Sequence, residues 1–394
     1  MTSKQTQLIH DGYERSHYGE TSEALYLTSG FVYQSAEQAE ARFAGEAEEK
    51  SRFIYSRYGN PSVQLFEEKM RALEGAEVCV AAASGMAAMA GSLLCCLKAG
   101  DHVVASRVLF GSCFQVLTTF LPRYGITYTL VDGKDLNAWE AAILPGETKI
   151  LFCETPANPT LELVDLAGVS NLAKDHGLLF VVDNALASPA VQNPMKFGAD
   201  VVTYSATKHI DGQGRCMGGA ILCSSKYFED YLEHYMRHLG PCMSPFNAWS
   251  LAKSMETLEL RVCRMAETAQ KTAAFLSKRK QVSAVLYPGH LDHPQYSLAS
   301  NQMNSGGSII SFELPAGKAQ AFKFLNALKL ILISNNLGDS KSLATHPATT
   351  THRTLDPRLR KQAGISDGLV RLSIGLEDSK DVIEDLDAAL CACL

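Results

Sequence analysis

The chain has 394 residues, of which 46% are apolar and 20% charged, and a formal net charge of -6. That length exceeds what one hydrophobic core holds and predicts two domains, while the acidic balance excludes the basic footprint of a nucleic-acid binder. Residues 1–14 are polar without a signal-peptide core, no run reaches transmembrane length, and the 11 cysteines lack regular spacing, so a cytoplasmic protein without nucleic-acid or membrane partners is expected.

In chain order, residues 1–60 read as an arm with little core of its own. Ser35 is a candidate N-cap for an Ala/Glu-rich helix over 36–50. The arm ends in Tyr55-Ser56-Arg57-Tyr58-Gly59-Asn60-Pro61, which mixes aromatic, cationic and turn residues. A guanidinium fork suits a phosphate, although composition alone reads Arg57 as an exposed turn residue.

From Val78 strands and helices alternate. A strand at 78–81 leads through Ser84-Gly85-Met86 into an Ala/Leu-rich helix ending near Gly100. Such a helix start offers free N–H groups to an anion, or is an ordinary strand-to-helix cap. Strands follow at 102–105, 126–131 and 150–154. Between them Phe110-Gly111-Ser112-Cys113 carries an aromatic ring and a thiol, Cys113 being expected to pack. After Glu154 the prolines of Thr155-Pro156-Ala157-Asn158-Pro159 fix an extended loop, in which Asn158 alone reads as a turn residue.

The centre of the chain is 177–219. Apolar runs at 178–182 and 201–204 read as buried parallel strands; the first ends in Asp183 and the second runs into Ser205-Ala206-Thr207-Lys208-His209 and a Gly-rich loop at 211–215. An amine forms a Schiff base with an aldehyde, a carboxylate keeps a pyridine nitrogen protonated, and hydroxyls donate to a phosphate, so the set suits pyridoxal 5'-phosphate. Taken singly, Lys208 reads as a surface lysine and Asp183 as a helix cap.

After a strand at 219–223, an amphipathic helix is predicted over 250–279, with Met255, Leu258, Val262 and Met265 in the core. Strands at 308–313 and 370–374 and helices at 320–330 and 379–393 complete a smaller α+β portion. Arg371, a charge within an apolar strand, needs an anion or a structural ion-pair partner. His346 and His352 lack further ligands, and no metal site is expected.

Asp183-Asn184, Gly198-Ala199-Asp200-Val201-Val202 and Tyr204-Ser205-Ala206-Thr207-Lys208-His209 closely resemble the cofactor-binding signature of the cystathionine γ-synthase family of transsulfuration enzymes. The likeness runs from Tyr18 to the C-terminal helix, and Ile210-Asp211-Gly212-Gln213-Gly214-Arg215 is most similar to the branch that joins sulfide to an activated homoserine. This implies an α/β, type I pyridoxal-phosphate transferase fold: an arm (1–60) reaching the neighbouring subunit's site, a large domain (61–255) with a mostly parallel seven-stranded sheet flanked by helices, and a small C-terminal α+β domain (256–394). The implied assembly is a homotetramer, a dimer of dimers.

The resemblance also distributes roles. Lys208 is the cofactor-bearing lysine and proton carrier, and Asp183 meets the pyridine nitrogen. Ser84, Gly85, Met86, Ser205 and Thr207 hold the phosphate, joined by Tyr55 and Arg57 from the neighbouring subunit. Phe110 stacks on the ring where most members carry Tyr, which leaves proton transfer to Lys208 or Tyr55. Arg371, Ser342 and Asn158 meet the substrate carboxylate. Lys341 stands where members often carry Glu; it is expected to repel the amine of cysteine while tolerating hydrosulfide or a succinyl carboxylate. Ser112 replaces the reactive cysteine of methionine γ-lyases. The implied reaction is O-succinyl-L-homoserine plus sulfide giving L-homocysteine and succinate, in methionine biosynthesis; the alternatives are a cystathionine γ-synthase, a cystathionine or methionine γ-lyase, and a non-catalytic relative, which would have lost Lys208 or Asp183.

Overall fold

Seven short apolar runs, spaced by helices, join into one sheet. In the computed structural model, which describes residues 3–13, 15–46 and 53–393, they are β1 (Val78–Ala82), β2 (His102–Ser106), β3 (Thr127–Val131), β4 (Thr148–Glu154), β5 (Leu179–Asp183), β6 (Val201–Ser205) and β7 (Gly219–Cys223). The order is β1-β7-β6-β5-β4-β2-β3; only β7 runs against its neighbours. The central strands are apolar on both faces because helices cover both. Leu151, Cys153, Phe180 and Val182 join Phe66, Met70 and Leu251 on one side, whereas Ile150, Phe152 and Val181 join Met89, Leu93 and Leu117 on the other. That is the two-residue alternation of a strand read twice over.

A second sheet has the order β10-β11-β12-β9-β8, from β8 (Ala284–Leu286), β9 (Ile309–Glu313), β10 (Leu332–Ile333), β11 (Leu343–Thr345) and β12 (Leu369–Ser373). Phe312, Phe324, Leu372 and Leu386 form its core. The mixed α/β architecture, with a large mostly parallel sheet and a small second one, is the expected fold class. No helix among the described residues is long and apolar enough to cross a membrane.

Two helices differ from expectation. Ser35 does cap the arm helix, its Oγ accepting from Gln38 N at 3.2 Å, but the helix is Ala36–Ala44 and stops at Gly45, which takes a left-handed φ of 77°; of the expected extension to residue 50, 47–50 lie outside the described residues. The helix expected over 250–279 is two, Pro245–Met255 and Leu258–Leu276. Between them Thr257 leaves helical geometry (φ -114°, ψ 9°), and the Ser254 carbonyl accepts from the Arg261 side chain at 2.9 Å. A buried guanidinium thus takes part of the hydrogen bonding that a continuous helix would supply. Met255, Leu258, Val262 and Met265 are all buried as expected.

Candidate active site

The C-terminal ends of β4, β5 and β6 lie side by side, which puts Glu154, Asp183 and the turn after Ser205 at one edge of the sheet. Asp183 Oδ1 accepts from Ala185 N at 3.0 Å, and the Cys113 thiol lies 3.6 Å from Oδ2. Burial pushes the Asp183 carboxyl up to about 6. Cys113 is buried, as expected of a packed residue, and it also touches this carboxylate.

Lys208 Nζ donates to Asn336 Oδ1 at 2.6 Å; burial, and secondarily the field of Arg371, push its amine down to about 8. The turn carrying it is held from behind. Arg261 donates to the carbonyls of His209 (2.8 Å) and Ile210 (3.3 Å), and buried Asp211 accepts from Arg215 N at 2.7 Å. The His209 ring meets Ser308 Oγ at 2.7 Å, and burial holds it neutral with a value of about 3.

Ser84 caps the helix Gly85–Leu94, its Oγ accepting from Ala87 N at 3.1 Å. A methyl group on Gly85 would lie 2.5 Å from Ser205 Cβ, so only glycine lets this helix start press on the end of β6. The first-turn N–H groups of Gly85 and Met86 have no acceptor within their helix. Thr207 Oγ1 accepts from Gly218 N at 3.2 Å.

Arg371, in β12, is 1% exposed. It donates to Asn158 Oδ1 at 2.8 Å and to the carbonyls of Asn335 (2.9 Å) and Asn336 (3.1 Å), while its Nε has no partner among the described residues. Among the described residues no carboxylate forms an ion pair with it. Burial pushes it down to about 10, opposed by the field of Glu154. A desolvated guanidinium with an open N–H is a site for a carboxylate. Asn336 connects the two centres, its side chain on Lys208 and its carbonyl on Arg371.

The remaining expected residues divide. Phe110 precedes the helix Gly111–Gln115 and donates its N–H to Glu154 Oε2. Asn158 is brought to Arg371. The Ser342 hydroxyl donates to Glu377 Oε2 at 2.8 Å and accepts from Gly375 N at 2.9 Å, bracing a loop. Lys341 Nζ is 2.9 Å from Asp339 Oδ1 and more than half exposed. Tyr55 and Arg57 stand apart within one chain: Arg57 donates to the Arg237 carbonyl and Tyr55 is exposed, and none of their described contacts is with Lys208, Asp183 or Ser84.

Sequence reasoning assigned no role to Glu154, and noted Asn336 only as the start of the stretch 336–343 that holds Lys341 and Ser342. Glu154 carries the same signal as Asp183, an acid closing an apolar strand; Asn336 contacts Lys208 across 128 residues and has no local signal.

These groups fit pyridoxal 5'-phosphate on their own chemistry. The buried amine is depressed toward neutrality, a buried carboxylate has no cation paired with it among the described residues, a helix N-terminus rests where only glycine fits, and a guanidinium remains open. Fold and site define a pyridoxal-phosphate enzyme acting on a small amino-acid substrate. The chain belongs to the Cys/Met metabolism PLP-dependent enzyme family, whose profile matches residues 5–391. It is 51% identical over 392 residues, 98% of this chain and 96% of the relative, to an O-succinylhomoserine sulfhydrylase of Mycobacterium tuberculosis. It is 41% identical over 98% of its length, and 96% of the relative, to an L-methionine γ-lyase of Porphyromonas gingivalis. The solved structure of a chain assigned as an O-acetylhomoserine (thiol)-lyase from Campylobacter jejuni, with N'-pyridoxyl-lysine-5'-monophosphate, superposes with a TM-score of 0.94 at 30% identity, covering 99% of this chain and 100% of that one.

Proposed function

We propose that the chain replaces the γ-substituent of O-succinyl-L-homoserine by sulfide, releasing L-homocysteine and succinate, in cytoplasmic methionine biosynthesis. The observation that carries this reading is the 51% identity to a sulfhydrylase over nearly the full chain, against 41% to a γ-lyase. Bound pyridoxal phosphate supplies an electron sink that acidifies the hydrogens of an attached amino acid.

The chain's residues do the rest. Lys208, neutral in part near pH 8, takes the proton from the substrate α-carbon and returns protons later. Asp183 meets the pyridine nitrogen; Ser84, Gly85, Met86, Ser205 and Thr207 hold the phosphate; Phe110 packs on the ring. Arg371, aimed by Asn158, takes the substrate α-carboxylate, with Ser342 bracing the loop beside it. The Cγ–O bond leaves with its electron pair as succinate and hydrosulfide forms the Cγ–S bond, so the exchange is redox-neutral. Lys341, paired with Asp339 beside Ser342 in the chain, disfavours the amine of cysteine as the incoming nucleophile.

Tyr55 and Arg57 serve the neighbouring subunit's site in a dimer, and two dimers form a tetramer. The exposure of Tyr55, and of Leu27, Val32 and Phe43 in the same arm, supports a covered surface there.

Offering O-succinylhomoserine with sulfide and cysteine at equal concentration tests the reading. Homocysteine is the expected main product. Predominant cystathionine would make the protein a γ-synthase and overturn the role of Lys341, and 2-oxobutyrate as main product would favour the lyase reading.

A further inference from the structure

We propose that Glu154 is a positioning residue for the substrate carboxylate, stapling the Phe110 turn to the Asn158 loop so that Asn158 and Arg371 hold their aim. The proposal rests on the reading that Arg371 takes the α-carboxylate. Glu154 ends β4, is 4% exposed and is Cα-paired with Asp183. Its Oε2 accepts from Phe110 N, and its Oε1 accepts from Asn158 N at 3.1 Å. Asn158 then accepts from Arg371 Nη1 at 2.8 Å through its own side chain. One carboxylate therefore links the turn beside the ring to the guanidinium, through two backbone N–H groups and one amide.

Packing alone does not account for a carboxylate here. Two acids at register-paired positions repel, and burial adds to the cost of charging either; accordingly Glu154 is raised well above the usual range, by burial first and Asp183 second. A carboxamide of the same shape would relieve both penalties. It would, however, turn an NH2 group toward one of the two N–H donors, leaving a buried donor unpaired. Only a carboxylate accepts on both sides. Glu154 is also the acidic group whose field Arg371 feels, yet it forms no ion pair with it. Standing one hydrogen bond behind Asn158, it steadies the guanidinium without closing it to a ligand.

The test uses Glu154→Gln and Glu154→Asp as cofactor-reconstituted enzymes, with Arg371→Ala as reference. Three affinities are measured: for L-norleucine, which lacks a γ-leaving group; for n-pentylamine, the same molecule without its carboxylate; and for pyridoxal phosphate by titration of the cofactor-free protein. Glu154→Gln is expected to weaken norleucine and raise KM for O-succinylhomoserine roughly tenfold, the effect of about one charged hydrogen bond. Pentylamine and cofactor affinities should stay within about threefold, kcat should fall less than KM rises, and Glu154→Asp should lie between Gln and wild type.

Unchanged norleucine binding in Glu154→Gln, with loss in Arg371→Ala, overturns the proposal alone. Equal loss of norleucine, pentylamine and cofactor makes Glu154 merely structural and also overturns it. Retained norleucine affinity in Arg371→Ala would bring down the reading of Arg371 and this proposal together. Should Glu154→Gln fail to fold, the same comparison is made with Glu154→Asp, where a tenfold or smaller loss confined to norleucine supports the proposal and a loss common to all three ligands overturns it.

Discussion

Lys208 and Asp183 are shifted in opposite senses chiefly by one cause. Burial penalises whichever form is charged, which lowers the lysine and raises the aspartate. For the lysine the sign is direct: a depressed value means that the folded protein favours the neutral amine, and the positive charge is lost as pH rises through about 8 instead of the ordinary 10.5. In cofactor-free protein, the reactivity of Lys208 toward an amine-acylating reagent is therefore expected to rise with a midpoint near 8, as followed by mass spectrometry of its peptide. Arg371→Ala should move that midpoint up, because a neighbouring positive charge has gone. A Lys208 that titrates together with the surface lysines would contradict this account.

Among the elements, the start of the helix Gly85–Leu94 is tightly specified by its neighbours. A Cβ at Gly85 would stand 2.5 Å from Ser205 Cβ and 2.8 Å from its Cα, and one at Gly219 would stand 2.1 Å from the Ser84 carbonyl. Backbone cannot yield as a flexible side chain does. Gly85→Ala is expected to cost about 2 kcal/mol of stability by overpacking, and to weaken cofactor binding roughly tenfold by displacing the helix N-terminus from Ser205. Calorimetry and cofactor titration read the two effects, and unchanged cofactor affinity would separate this helix start from phosphate binding. The break at Thr257 has the same logic: Arg261 draws on the Ser254 carbonyl while holding the turn behind Lys208, so continuity of the helix gives way to the position of that turn.

For the whole molecule, the proposed dimer carries a prediction of its own. A site completed by Tyr55 and Arg57 of a neighbour predicts complementation. Arg57→Ala and Lys208→Ala chains, each of low activity, should on refolding together yield hybrid dimers with one intact site, recovering about a quarter of wild-type activity by random pairing. Recovery at the level of the separate variants would place both residues in the same chain's site.

What the linear chain determined was periodic or local. Short continuous apolar runs in β4 to β6, the acid at the end of β5 and the amine just past β6 are all properties of neighbouring residues, so these strands and the placing of Asp183 and Lys208 at adjacent strand ends were legible, as were Ser35 and Ser84 as caps. Tertiary structure decided whatever depends on a distant partner. Asn336 reaches Lys208 across 128 residues, Asn158 reaches Arg371 across 213, and Arg261, beside the helix break at Thr257, binds carbonyls 51 and 52 residues away. Ser342 shows the same from the other side, its hydroxyl taken up by Glu377 and Gly375 once the loop closes. Local sequence sets dihedral preferences and faces; which buried donor meets which acceptor follows from how the two sheets pack, because a desolvated polar group must find its partner wherever the fold brings one.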